Sequence, residues 1–272
     1  MRSWMRAIGS AVAVAILCSA CATTAGLGVG GGRWVDLTHA FGEDTLYWPT
    51  AERFTLVTEF RGVNAKGYFY ASSRYGASEH GGTHLDAPIH FNDKGSTADA
   101  IPIERLIGEA RVVDVVDACE KDPDYQVTRD DILAHEARFG RIPDDALLFI
   151  KTGFSARWPD AVRYLGTAEP GPDAVAKLHF PGLHPDAASW ITAERRVKAV
   201  GIDTASIDFG QSTYFMSHRI LYAADIPAFE NVAALEVLPS AGARVVALPM
   251  KIRGGTGGPL RIVAWIPADA RN

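Results

Sequence analysis

Three histidines and one aspartate within one short stretch constrain this chain more than any other feature of its sequence. The stretch runs Glu79-His-Gly-Gly-Thr-His-Leu-Asp-Ala-Pro-Ile-His-Phe91 and holds three of the eight histidines. In an extended chain, His84 and Asp86 point to one face with Cα atoms about 6.5 Å apart. His80 would then lie about 13 Å from His84. The chain must therefore fold back at Gly81-Gly82, where positive φ is permitted.

These side chains predict a metal site. Two imidazoles, His80 and His84, and the carboxylate of Asp86 suit Zn²⁺, Mn²⁺ or Fe²⁺ and leave coordination positions open, as a catalytic site requires. A closed structural site would use four protein ligands. The alternative interpretation is a set of ordinary hydrogen-bonded histidines in a turn-rich loop. Pro88 argues against a helix through this segment.

Apolar, β-branched runs recur along the rest of the chain and predict buried strands. The alternating aromatic segment 68–72 predicts a further strand. Few helix signals separate these runs, so a mixed α/β domain is expected and a doubly wound sheet is not. The five runs are Val112–Val116, Leu147–Ile150, Val197–Ile202, Val245–Leu248 and Ile262–Ile266.

Two helices have recognisable starts. Thr128, with Asp131 three residues on, predicts a capping box before 132–139, and Gly140 a C-terminal stop. His135 lies in the middle of this helix and is expected to be solvated. Pro185 predicts the first turn of a helix over 187–195, with His184 as its cap.

The stretch from His80 to Phe91 resembles the H-x-G-T-H-x-D-x-P-x-H-F signature of the cyclase-like metal hydrolases, a family that includes kynurenine formamidases and isatin hydrolases. Further matches occur along the chain, from 34 to 267. The resemblance implies an α/β fold described as a swivelling β/β/α single domain, with a mixed sheet and few helices, and usually a homodimer. The other matching segments are Leu46–Pro49, Phe180–Leu183, Gly201–Thr204, Ser217–Arg219 and Ile226–Asn231.

The resemblance also implies residue roles. The primary metal ligands correspond to His80, His84 and Asp86, and the proton donor and acceptor to His90. A further pair, His218 with Glu230, either completes a second metal site bridged by Asp86 or bonds substrate or water. Substrate contacts are expected from an aromatic pair, Trp48 with Phe91, although Trp48 could instead pack in the core.

The predicted function is hydrolysis of a small amide, cyclic amide or imide by a metal-bound water, with Mn²⁺ or Zn²⁺ as cofactor and His90 as acid and base. An isatin-like lactam is favoured, because formamidases of the family are usually shorter and cytoplasmic. One alternative is a kynurenine formamidase. Another is a non-catalytic, metal-containing binding protein, against which the intact His90 argues.

The charge distribution excludes one class of partner. The net charge is −5, and lysines and arginines are spread along the chain without forming a basic stripe. A nucleic-acid backbone needs such a stripe. A small-molecule amide is the expected partner.

The N-terminal segment predicts export. Residues 1–22 form a short basic region, an apolar run too short to span a bilayer and a group of small residues, which is typical of a signal peptide. One processing route lipidates Cys21, and the other cleaves after an A-x-A pattern. Residues 23–32 are read as a Gly-rich tether and 33–272 as the hydrolase domain. The expected location is the periplasm, or the outer membrane as an anchored lipoprotein.

The lipoprotein route makes a direct prediction. Cys21→Ser removes the thiol to which this route attaches the lipid, so the protein should move from the membrane fraction to the soluble periplasmic fraction. Cell fractionation with N-terminal sequencing measures this. Unchanged fractionation with an N-terminus at Thr23 would instead identify ordinary signal cleavage.

Overall fold

The computed structural model describes residues 31–270. The predicted signal peptide, Cys21 and most of the predicted tether lie outside this range. The first strand begins at Gly32, the last residue assigned to the tether. Within residues 31–270, no helix has the length and apolar character needed to cross a membrane.

Twelve strands and six α-helices make up the described part of the chain. The strands are β1 (Gly32–Asp36), β2 (Thr55–Val63), β3 (Phe69–Gly76), β4 (His84–Asp86), β5 (Ile107–Asp114), β6 (Gln126–Val127), β7 (Leu147–Lys151), β8 (Gly182–Leu183), β9 (Ala199–Ile202), β10 (Ala228–Glu230), β11 (Ala241–Pro249) and β12 (Gly257–Pro267). The helices are α1 (Val116–Lys121), α2 (Arg129–Phe139), α3 (Ala161–Leu165), α4 (Pro172–Val175), α5 (Pro185–Glu194) and α6 (Met216–Ala223).

Seven strands close into a barrel-like ring. The order is β12-β11-β5-β7-β9-β10-β4, and β4 pairs back onto β12. The segment from β5 through β10 is parallel, and the remaining pairings are antiparallel. β1 is not part of the ring and pairs antiparallel with the C-terminal residues of β12, from Val263 to Pro267. The expected mixed α/β domain with few helices is confirmed, and the closed ring accounts for the absence of a doubly wound arrangement.

Side-chain alternation along the strands builds two cores. On β7, Leu147 and Phe149 belong to a cluster with residues from every strand of the ring, which is its interior. Leu148 and Ile150 belong to a second cluster shared with the helices. The two-residue period of a strand explains this division. Gly201 leaves room for Phe149, since a Cβ there would lie 2.5 Å from its ring.

The predicted elements are present with small shifts. All five apolar runs are strands, except that the first strand ends at Asp114 and Val116 begins α1. The capping box holds, since the Asp131 carboxylate accepts from the Thr128 backbone N–H at 2.7 Å. His184 caps α5 as expected, with its Nδ1 accepting from the Asp186 N–H.

The expectation of a solvated His135 is wrong. Its side chain is 6% exposed and its ring lies 5.1 Å from that of Phe139. Burial lowers the pKa of His135 to about 4, so the ring is neutral at pH 7. The helix pattern places this residue but does not reveal that its face turns toward the sheet.

A long hairpin projects from the ring. β2 and β3 pair only with each other in the described chain, and their large apolar side chains lie mostly in solvent. Leu56, Val63 and Phe69 are 63%, 69% and 64% exposed. Two-stranded hairpins are marginally stable in water without a packing partner. The predicted strand at 68–72 lies in this hairpin.

Candidate metal centre

Strand alternation places the first two candidate ligands on one face of the sheet. Leu85, between His84 and Asp86, points into the ring interior, so its two neighbours point outward. In the antiparallel register of β4 and β10, Glu230 lies opposite His84. The Glu230 Oε2 atom is 3.4 Å from the His84 Nε2 atom. Glu230, which is distant in sequence, therefore lies beside the histidines and aspartate of the predicted metal site.

Gly81 and Gly82 form the turn that the sequence predicts, where the chain folds back toward His84. Gly82 has φ +58°, which favours glycine. Gly81 lies against the Tyr47 ring, where a Cβ would come within 2.0 Å. As a result, the His80 Nδ1 atom lies 2.6 Å from the Asp86 Oδ1 atom.

Helix α6 supplies the third imidazole. The Asp208 carboxylate accepts from the backbone N–H groups of Ser217 and His218, both at 3.1 Å, at the start of this helix. It also accepts from His218 Nδ1 at 2.6 Å. One buried carboxylate therefore caps the helix and fixes the ring. The His218 Nε2 atom lies 3.4 Å from Asp86 Oδ2 and 3.1 Å from Glu230 Oε1.

The tautomer of His84 follows from its partners. A carbonyl oxygen can only accept, so His84 Nδ1, 3.0 Å from Gly82 O, carries the proton and donates it. Nε2 then presents a lone pair toward Asp86 Oδ1 at 3.0 Å and toward Glu230. This buried nitrogen makes no hydrogen bond in the described chain. A lone pair that faces two carboxylates is satisfied only by positive charge, either a proton on Nε2 or a metal ion between the groups.

The same reasoning applies to the other two rings. Thr256 Oγ1 donates to Glu79 and therefore accepts from His80 Nε2 at 2.8 Å, which leaves the His80 Nδ1 lone pair facing Asp86. His218 Nδ1 donates to Asp208, which leaves its Nε2 lone pair facing the carboxylates. Metal-bound histidines usually donate their other ring N–H in this way. The donor set therefore fits a divalent ion.

The directions of the pKa shifts at these side chains also indicate a site that favours positive charge. Burial alone would lower the pKa of His84 and His218, but the hydrogen bonds that the protonated rings would donate to neighbouring carboxylates raise the pKa of both, that of His218 well above its usual value. Burial alone would raise the pKa of Asp86, yet the surrounding imidazoles hold it well below its usual value. Tyr222 also donates to Asp86 Oδ2 at 2.9 Å.

A cavity of about 340 Å³ opens onto these side chains. All eight site residues predicted from the sequence line it, although their roles stay predictions: Trp48, His80, His84, Asp86, His90, Phe91, His218 and Glu230. Among the described residues, two sets place ligand atoms within 4.8 Å of one another: His80, His84 and Asp86, and Asp86, His218 and Glu230.

His90 occupies the wall beside the first set. Its ring stacks on that of His80 with centroids 3.9 Å apart. Burial lowers the pKa of His90 to about 4, so the ring is neutral. In residues 31–270 no group is hydrogen-bonded to this ring. A neutral, unbonded imidazole facing the cavity can accept a proton.

With this geometry established, comparison with known proteins identifies the family. A family model described as putative cyclase matches residues 35–209. The chain belongs to this cyclase family. Isatin hydrolase from Roseibium aggregatum is 31% identical over 212 residues, covering 75% of this chain and 78% of that protein. Kynurenine formamidase from Salinibacter ruber is 29% identical over 235 residues, covering 84% and 95%.

A solved structure agrees with these relatives. Isatin hydrolase A from Ralstonia solanacearum superposes with a TM-score of 0.78 at 31% identity, covering 86% of this chain and 92% of that one. The names of these cyclase-family relatives describe hydrolases of amide substrates, which supports a hydrolase activity here. The expected family membership is confirmed.

Sequence reasoning missed several groups at the centre of this cyclase-family chain. Asp208 and Tyr222 bond directly to predicted ligands, and Thr256 lies in a Gly-rich segment that reads only as a connector. Phe215 lines the cavity from a left-handed backbone conformation with φ 48°. The position of Asp208 between two apolar residues, Ile207 and Phe209, indicates burial but gives no sign of its contact with His218.

Asp86 is the candidate ligand that both sets share, so its removal should affect both. Asp86→Ala should be purified nearly metal-free, because too few donors remain to compete with water. Elemental analysis of the purified protein measures this. The matched control is Asp114→Ala at the end of β5, which lies outside the cavity lining and should keep its metal. Full occupancy in Asp86→Ala would remove the metal from this centre.

Proposed function

We propose that this protein is a metal-dependent hydrolase of a small cyclic amide, with an isatin-like lactam favoured as substrate. The observation that carries the proposal is the inward-facing set of imidazole lone pairs and carboxylates at the floor of an aromatic cavity. The isatin hydrolase relative, 31% identical over most of the chain, supports it. The reaction adds water across the amide C–N bond.

The proposed cofactor is Mn²⁺ or Zn²⁺, held by His80 Nδ1, His84 Nε2 and Asp86, with His218 and Glu230 as the candidate second set. When bound, such an ion supplies Lewis acidity, which lowers the pKa of water and polarises a carbonyl. The carboxylates fix its position, and the bonds to Gly82 O and Thr256 Oγ1 fix the rings that face it.

His90 is the proposed proton carrier. Its ring is neutral, stacks on His80 and faces the cavity, so it can take a proton from the attacking water as the new C–O bond forms. The same proton then passes from the imidazole to the lactam nitrogen as the C–N bond breaks. The lactam opens to a carboxylic acid and an aromatic amine, and the acid releases its proton to solvent. An amide nitrogen leaves readily only when protonated, so both transfers are needed.

The lining of the cavity favours a neutral ring over an amino-acid substrate. Three aromatic side chains line the cavity, and the ring centroid of Phe215 lies 5.3 Å from that of Phe91 and 6.1 Å from that of Trp48. The ionisable lining residues are His90, the proposed metal ligands and Tyr47, and no lysine or arginine lines the described cavity. N-Formylkynurenine carries an ammonium and a carboxylate, which would lie here without partners.

This difference predicts substrate selectivity. Burying unpaired charges costs several kcal/mol, so the metal-loaded mature protein should show kcat/KM for isatin at least about 100-fold above that for N-formylkynurenine. Steady-state kinetics on the two substrates measure the ratio. A preference for N-formylkynurenine would support the formamidase alternative. Turnover of neither would support a metal-containing binding protein.

The role of His90 can be separated from metal binding. His90→Ala should keep its metal while kcat falls by about 10²- to 10⁴-fold, the usual contribution of a general acid and base. KM should change little if the imidazole acts mainly in the transition state. Activity and elemental analysis are measured together, with His80→Ala expected to lose both metal and activity. Loss of metal in His90→Ala would make His90 a ligand.

We further propose an exported protein, periplasmic or anchored to the outer membrane through Cys21, and a homodimer. The N-terminal sequence supports the first proposal, which the Cys21→Ser fractionation tests. The exposed apolar hairpin of β2 and β3 supports the second, because such a hairpin needs a packing partner. Sedimentation at twice the chain mass is expected, and a single-chain mass would contradict it.

A further inference from the structure

We propose that Asn231 is a positioning residue that holds His84 in its metal-binding tautomer through the Gly82 carbonyl. This inference rests on the proposed metal centre. The Asn231 Nδ2 atom donates to Gly82 O at 2.8 Å. The same oxygen accepts from His84 Nδ1 at 3.0 Å. The amide thus fixes the acceptor that keeps the proton on Nδ1 and the lone pair on Nε2.

Asn231 holds the ligand segment at two points. Besides the side-chain bond to Gly82, the backbone carbonyl oxygen of Asn231 accepts from Thr83 Oγ1 at 2.7 Å. Gly82 and Thr83 are the two residues that directly precede His84. Asn231 itself directly follows Glu230, so one residue connects a ligand candidate on β10 to another on β4. The two strands therefore keep their ligands in one fixed relation.

The orientation of the amide is fixed by a second partner. Tyr164 Oη donates to Asn231 Oδ1 at 2.9 Å, and both side chains are buried. Because Gly82 O can only accept, Nδ2 must face it and Oδ1 must face Tyr164. Both ends of the amide are therefore engaged by the protein. Although Asn231 lines the cavity, this arrangement indicates positioning rather than a direct contact with substrate.

The backbone of Asn231 adds a second constraint. Its φ is 51°, in the left-handed region that asparagine tolerates better than most residues. Its N–H donates to Thr204 O at 2.8 Å, which holds this turn at the end of β10. A simpler explanation for an asparagine here is that backbone conformation alone. Glycine separates the two explanations, because it adopts positive φ freely and carries no amide.

The experiment compares Asn231→Gly with Asn231→Ala in metal-free protein titrated with Mn²⁺ or Zn²⁺ against a chelator. If the amide positions His84, the glycine variant should lose about 10- to 100-fold in metal affinity, as is usual for partners of ligating histidines. Wild-type affinity in Asn231→Gly would overturn the proposal, whether or not the alanine variant is weakened, because backbone conformation would then be the whole role.

A second readout and variant keep the test independent of folding and of turnover. Nitrogen NMR of the metal-free protein, recorded at an alkaline pH at which the His84 ring is neutral, should find His84 protonated at Nδ1 in the wild type and a mixture of tautomers in Asn231→Gly. If the glycine variant does not fold, Tyr164→Phe removes the hydroxyl that bonds Asn231 Oδ1, together with its 3.1 Å contact to the backbone carbonyl of Asp203, and should weaken metal binding several-fold. An unchanged tautomer, or unchanged affinity in Tyr164→Phe, would overturn the proposal.

These outcomes are distinguishable from failure of the proposed function. A wild-type protein that binds metal but hydrolyses no lactam leaves the affinity and tautomer comparison intact and contradicts only the proposed reaction. A wild-type protein that binds no divalent ion overturns both the metal centre and the role of Asn231.

Discussion

The Asp86 carboxylate is the group on which the site depends. It is 1% exposed, and its two oxygens face different neighbours. One oxygen faces the inner nitrogens of His80 and His84, and the other faces His218 and the hydroxyl of Tyr222. Only the tyrosine is a fixed donor, because each imidazole uses its other nitrogen to donate elsewhere. A buried carboxylate surrounded by lone pairs is costly unless a cation lies among them. A divalent ion would meet this requirement and would supply the Lewis acidity that the proposed reaction uses.

The closed sheet and the site depend on the same three residues. β4 is only three residues long, yet it pairs with β10 on one side and β12 on the other, which closes the ring. Its middle residue, Leu85, packs inside, while the flanking His84 and Asp86 face the cavity. Pairing with β10 brings Glu230 to His84. The register that seals the barrel therefore also sets the spacing of the candidate ligands.

The sequence predicted the local part of this arrangement. His80, His84 and Asp86 lie within seven positions, so strand period and a glycine turn suffice to bring them together. His218 and Glu230 came only from the family resemblance, because their approach depends on sheet register and on helix α6. Asp208 gave no periodic or spacing signal. Contacts between residues this far apart in sequence depend on tertiary packing, which the local patterns of a single sequence do not reveal.

Helix and strand patterns reached a similar limit. The capping box and the apolar runs predicted most elements, since those signals are local. The burial of His135 was missed because the burial of a helix face depends on what packs against it. The role of Thr256 was hidden within a Gly-rich connector that folds back onto His80.

The most direct test of the metal centre is anomalous diffraction from crystals grown with Mn²⁺ or Zn²⁺, collected at the absorption edge of the metal. The account predicts a strong peak about 2.0 to 2.2 Å from His80 Nδ1, His84 Nε2 and a carboxylate oxygen of Asp86. A metal peak elsewhere, or none at these atoms in protein that hydrolyses isatin, would contradict it.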